Sequence, residues 1–336
     1  MKPFDYPLGA ILGGDPSDID AGRRRFAVQP VDEMRLREGP YPYPMRRTTL
    51  AASTSVTGVG TYDRRFQRTV EFLPGTRPGW WIDRVDLPGE FPVEMSVRNV
   101  RSAAMNITLR AGSDRNQLRM VEHMVALKLG LGVDDAVLRA RHYDPPLFDR
   151  SSLPLVEAFR GAGIRELDEP ARFVTVREPV TFGGGRQDFL TFLPAKPGEF
   201  GIRLDVAVDF ASAIGKQRIV YDLTPETFLH GAAARTNAPY SLYLYVRTIG
   251  RILNSKRKYG YTTRNILIHK RRSYLNPPIM EREAAWHRAT LDLLAALALA
   301  DGGRFCGTVV SYRSGHTQDC RAMAAIELAG LLVPHH

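Results

Sequence analysis

Apolar residues along this chain fall into short alternating runs broken by a few helical stripes. Alternation and β-branched residues predict strands over 48–59, 67–72 and 91–97. Leu118, Val121, Val125 and Leu129 then recur at helical spacing and predict a helix over 118–129, stopped by Gly130-Leu131-Gly132. A strand at 136–140 and a helix at 153–162, ended by Gly163, complete this first series. A second series follows, with strands over 172–176, 188–193, 201–208 and 217–221 and a helix over 224–232 behind a Thr cap. The stretch 240–254 fits neither period cleanly. A strand at 266–269, an Ala- and Leu-rich helix over 281–300 stopped by Gly302-Gly303, a strand at 304–312 and a helix at 317–332 finish the chain. Strands followed by two helices, occurring twice, predict two related α+β halves.

Ahead of both series lies 1–45, rich in Pro, Gly, Asp and Arg and ending Gly39-Pro40-Tyr41-Pro42-Tyr43-Pro44. Proline at alternate positions blocks helix and disfavours a central strand. We expect a tail or extended arm at 1–45, a first α+β domain at 46–167 and a second at 168–336.

Composition adds three constraints. The longest apolar run, 293–300, is too short to span a bilayer, and the N-terminus lacks the pattern of a signal peptide. Two cysteines, Cys306 and Cys320, form no CxxC pair, so a reducing, cytoplasmic setting is expected. The net charge of +10 suits an anionic partner. It is densest at 251–272, where eight Lys or Arg, no acid, Tyr259 and Tyr261 occur together, with Lys256-Arg257-Lys258 and Lys270-Arg271-Arg272 as the thickest points. Such a segment is a solvated loop, a phosphate or lipid-surface contact, or a nucleic-acid site.

The chemistry gathers around histidines. Glu122-His123 lies in a predicted helix, where adjacent side chains point about 100° apart. The histidine can bind a metal while the carboxylate reaches a water on it, whose acidity the metal raises. The pair alone is equally a half-buried polar pair on a helix. Further along stand Trp286-His287-Arg288-Ala289-Thr290-Leu291-Asp292 and Arg313-Ser314-Gly315-His316.

The run Val121-Glu122-His123-Met124-Val125-Ala126-Leu127, then Gly130-Leu131-Gly132-Val133-Asp134-Asp135, resembles the UDP-3-O-acyl-N-acetylglucosamine deacetylases of lipid A synthesis. Thr57-Gly58-Val59-Gly60, Pro146 to Ser151, Ala234-Arg235-Thr236, Leu275-Asn276 and Ser314-Gly315-His316 match further family motifs in order, from about Arg46 to about Ala325. The resemblance implies a two-domain β-α-α-β sandwich, each domain a mainly antiparallel sheet with paired helices packed between the sheets. It implies Glu122 as general base, His123 and Asp292 as zinc ligands, Thr236 as oxyanion stabiliser and His316 as general acid or cationic stabiliser.

One helix departs from the family pattern, His-Lys-x-x-Asp-x-x-x-Asp. Counting back four from Asp292 gives Arg288, which cannot ligate zinc and could pair with Asp292 across one turn. Ala289 and Ala296 then replace the Lys and the second Asp. The competing register puts His287 on the ligand position and Arg288 on the substrate-contacting Lys, but spaces His287 and Asp292 five apart, which only a π-bulge reconciles. Tyr62, Arg150, Asn237 and Arg264-Asn265 are further departures.

The leading expectation is therefore a divergent deacetylase homologue with lost, weak or altered zinc-dependent amide hydrolysis and a binding or regulatory role. The first alternative is an active zinc deacetylase using Glu122. The second is a nucleic-acid module built on 251–272, the least favoured partner class. Zinc is implied if the site is intact, and no cofactor if it is not. The implied partner is a UDP-acylated amino sugar or related anionic ligand, held in part by Arg288, Lys256, Arg257 and Lys258, with a membrane surface as a further candidate. Oligomeric state is not legible.

Overall fold

The computed structural model describes residues 6–248 and 259–336. Two main sheets carry the fold. The six-stranded sheet orders its strands Pro146–Leu147, Thr54–Gly60, Gln67–Pro74, Ala136–Ala140, Trp80–Arg84, Val93–Glu94. The seven-stranded sheet runs Ala10–Gly13, Val180–Gly183, Phe189–Pro194, Gly307–Tyr312, Ile202–Asp209, Lys216–Asp222, Glu33–Arg35. Both are mixed: one of the five pairings in the first is parallel, and three of the six in the second.

The segment expected to be an extended arm is built into the second sheet. Helix α1 (Pro16–Ala27) begins at Asp15, whose carboxylate accepts from the Ser17 and Asp18 amides, with Pro16 at the first helical position. Strands Ala10–Gly13 and Glu33–Arg35 flank it and add in parallel to opposite edges of the seven-stranded sheet. Both outer strands of that sheet thus come from this segment. Gly39 to Pro44 lies in a stretch without helix or strand, as its prolines dictate.

Between the sheets lie helices α2 (Glu122–Gly130), α3 (Leu153–Ala162), α4 (Pro225–Ala232) and, after α5 (Tyr240–Arg247), the central α6 (283–298) and α7 (His316–Leu328). One continuous core joins Phe72 and Ile82 of the first sheet, Val125 and Leu129 of α2, Leu291 and Leu294 of α6, and Leu204 and Tyr221 of the second sheet. The fold is therefore the α+β arrangement the sequence implies, with α2 and α6 packed on each other at its centre. Helix α2 is shorter than expected. Met120 takes a left-handed φ of 54°, which turns the chain just before Val121, and Leu118 lies in an edge strand instead. No described helix is long and apolar enough to cross a membrane.

Candidate active site

Four turns deliver the site residues. Left-handed φ values at Met120, Ser151, Arg282 and Arg313 precede, respectively, Glu122-His123, Ser152, helix α6 and Ser314-Gly315-His316. Among the described non-glycine residues only Gln187 shares this conformation, so backbone strain concentrates around one site.

Glu122 opens α2, where the free helical amides favour a carboxylate. One of its oxygens accepts from the Ile107 amide at 2.9 Å. Burial pushes its pKa up, against the opposing pull of His316. His123 is held through Nδ1, 2.9 Å from the Ser152 hydroxyl. Burial, reinforced by His287, lowers its pKa to about 3, so the ring is neutral. The rings of His123 and His287 face each other with centroids 5.5 Å apart.

The two registers of the long helix are resolved by its geometry. Residues Arg288–Leu293 form a π-helix inside α6. Bonds of the i→i+5 type bring residues five apart onto one side, which a regular helix does not. His287 Nε2 consequently stands 3.3 Å from Asp292 Oδ1. His287 Nδ1 donates to the Ala234 carbonyl at 3.0 Å, and although burial opposes it, Asp292 and that carbonyl together raise the pKa of the ring. Asp292 is held well below the usual carboxylate range: burial would raise it, but His316, His287 and Arg288 together outweigh burial.

The wider helical turn has a packing requirement. Thr290 swells toward α4, where Gly231 offers no side chain, and a Cβ there would meet Thr290 Oγ1 at 2.1 Å. Thr290 is fully buried and shares a hydrogen bond with the Tyr221 hydroxyl at 3.1 Å.

Arg288 does not pair with Asp292. It points the other way, donating to the Ser314 carbonyl at 3.0 Å, to the Ser314 hydroxyl at 2.5 Å and to Asp319 Oδ1 at 2.5 Å. The residue suspected of displacing a metal is instead a strut for the turn that carries His316. Its partner Asp319, three residues after His316 on α7, was missed in the sequence. The signal was an acid in the first turn of a predicted helix. His316 Nε2 lies 3.5 Å from Asp292 Oδ1, so Glu122, His123, His287, Asp292 and His316 occupy one region.

Thr236 begins the strand Thr236–Pro239 and joins His123 in lining a small pocket. Its remaining walls are mostly apolar, from Met120, Met124, Pro146, Leu147, Phe148 and Leu155. Lys256, Arg257 and Lys258 lie outside the described residues, so the basic contacts expected from them have no structural description.

Three features fit a zinc ion. Asp292 Oδ1 is buried without an aligned hydrogen-bond partner. The 3.3 Å between it and His287 Nε2 is close to the separation, about 3.3 Å, of two donors on one tetrahedral zinc. The outward nitrogen of each candidate histidine is fixed by a contact at its other nitrogen, as metal-bound imidazoles require. Among the described residues, no three or more His, Cys, Asp or Glu side chains are grouped so as to hold a metal ion as they stand.

The family model for UDP-3-O-acyl N-acetylglycosamine deacetylase matches residues 47–327. The chain is 26% identical over 291 residues to a UDP-3-O-acyl-N-acetylglucosamine deacetylase of Photobacterium profundum, covering 84% of this chain and 90% of the relative. It is 28% identical over 297 residues to the one from Thermosynechococcus vestitus, covering 87% and 99%.

Proposed function

The chain belongs to the UDP-3-O-acyl N-acetylglycosamine deacetylase family, and we propose from that premise that it is an active zinc-dependent amide hydrolase acting on a UDP-linked, 3-O-acylated N-acetylamino sugar. The observation that carries this reading is the π-turn of α6, which returns His287 to Asp292 although they are five residues apart. A chain relieved of metal binding would have no use for a π-turn whose effect is to unite those two donors.

In this reading His123, His287 and Asp292 would hold zinc, which when bound would acidify a water and polarise the amide carbonyl. Glu122 accepts a proton from the attacking water, and burial gives its carboxylate the added basicity such a role uses. The water oxygen adds to the carbonyl carbon, and the Thr236 hydroxyl donates to the oxygen that gains charge. His316 delivers a proton to the departing nitrogen as the C–N bond breaks, giving acetate and a free amine. Arg288, braced by Asp319, fixes the Ser314-Gly315 turn and so the position of His316. The small apolar pocket beside His123 and Thr236 marks the side from which the acyl chain would approach.

A second reading, ligand binding without turnover, is favoured by one observation: among the described residues no three His, Cys, Asp or Glu side chains are grouped so as to hold a metal ion as they stand. The test is acetate release from a UDP-3-O-acylated N-acetylglucosamine by purified chain and by Glu122→Gln. Turnover lost in the variant supports hydrolysis. Substrate binding without acetate release by the zinc-loaded wild type overturns it in favour of binding.

A further inference from the structure

We propose that helix α5 and the 270–272 turn form a docking surface for an anionic phospholipid bilayer. This inference does not depend on the deacetylase reading. Helix α5 (Tyr240–Arg247) buries none of its residues. Leu242, Leu244 and Tyr245 are 39%, 46% and 48% exposed, while Tyr240, Tyr243 and Val246 are half-buried on its other side. A helix that is apolar on its solvent side needs another apolar phase to cover it.

The charge around it identifies that phase. Between 236 and 280 the chain has nine Lys or Arg and no Asp or Glu. Of these, Arg247 ends α5, and Lys270, Arg271 and Arg272 are exposed on the adjacent turn. The turn and helix form one surface: Lys270 Nζ sits 4.7 Å from the Tyr240 ring centroid, and strands Thr236–Pro239 and Ile266–His269 pair in parallel beneath them. Exposed leucines flanked by cations, with no anion, match an interface where apolar side chains enter the headgroup boundary and lysines and arginines meet lipid phosphates. A nucleic acid would use the cations and the tyrosines but gives the leucines no role.

The surface begins four residues after Thr236, so bilayer contact would lie beside the apolar cavity. The full chain is tested by flotation with vesicles of phosphatidylcholine alone or mixed with phosphatidylglycerol. Two exposed-residue variants accompany it: Leu242→Ser/Leu244→Ser/Tyr245→Ser and Lys270→Glu/Arg271→Glu/Arg272→Glu, each checked for an unchanged melting temperature. We expect binding to the mixed vesicles at least about tenfold above phosphatidylcholine, lost about tenfold in either variant and lost for wild type at high salt. Equal binding to both vesicle types, or none, overturns the proposal. So does unchanged binding by the serine variant together with wild-type affinity for single-stranded DNA, which would assign the surface to nucleic acid.

Discussion

Two buried charged clusters in this molecule are organised in opposite ways. On the outer side of the seven-stranded sheet, Arg218 makes a two-pronged pair with Asp205 at 2.8 Å and donates to the Phe26 and Gln29 carbonyls. Tyr6 adds its hydroxyl to the same carboxylate at 2.9 Å. In the site, by contrast, Arg288 Nη1, Asp292 Oδ1, His316 Nδ1 and Asp319 Oδ2 are buried without hydrogen-bond partners. Only two other such atoms occur among the described residues, Gln29 Oε1 and Asn116 Oδ1. The first cluster is completed by the polypeptide and fastens the N-terminal segment to the sheet. The second leaves polar capacity unused, which a protein interior tolerates where a ligand or a reaction uses it.

The largest expected contrast is catalytic. Glu122→Gln should lower acetate release by about a thousandfold, within the range for a lost general base, while the melting temperature stays near wild type. Arg218→Met should do the reverse. It strands Asp205 and should cost about 3–5 kcal/mol in denaturant unfolding, with the rate per folded molecule unchanged. A variant that loses activity in proportion to site disorder would break the comparison, because the two clusters would then be coupled.

Asp319→Asn should fall between them. It leaves Arg288 buried without its countercharge, at a cost of about 3 kcal/mol. It should also lower kcat more than KM, since the Ser314-Gly315-His316 turn loses its brace. A purely structural role would leave kcat per folded molecule untouched.

Gly231→Ala is the smallest change and the most local. Its methyl group meets Thr290, and overpacking of this kind costs about 1–3 kcal/mol. If the π-turn supports the donors, zinc affinity should fall with stability. Stability loss with unaltered zinc content would show that the turn and the donors are independent.

The sequence conveyed some of this directly and some not at all. The strands at 136–140 and 266–269 and the helix at 153–162 follow from period and punctuation, and they occur at those residues. Short motifs in a fixed order singled out Glu122, His123, Thr236, Asp292 and His316 as candidates, and the structure gathers them around one region. The pairing of His287 with Asp292 was not, because a five-residue spacing contradicts the helical period and only packing against Gly231 accommodates the wider turn. The sequence left open whether Arg288 or His287 faces Asp292: on a regular helix Arg288 would, while with the π-turn it meets Asp319 and Ser314 instead. The N-terminal helix was hidden by the proline-rich run after it, although Asp15-Pro16 is a capping signature in its own right. Its strands could not be placed, since parallel pairing to distant edges leaves no local trace.

The most direct test of the central claim is the zinc content of the purified full chain, measured by plasma mass spectrometry for wild type, His287→Ala and Arg288→Met. The account predicts one zinc per wild-type chain, lost in His287→Ala and retained in Arg288→Met. A wild-type chain that takes up no zinc, or a His287→Ala chain that keeps it as tightly as wild type, would contradict the account.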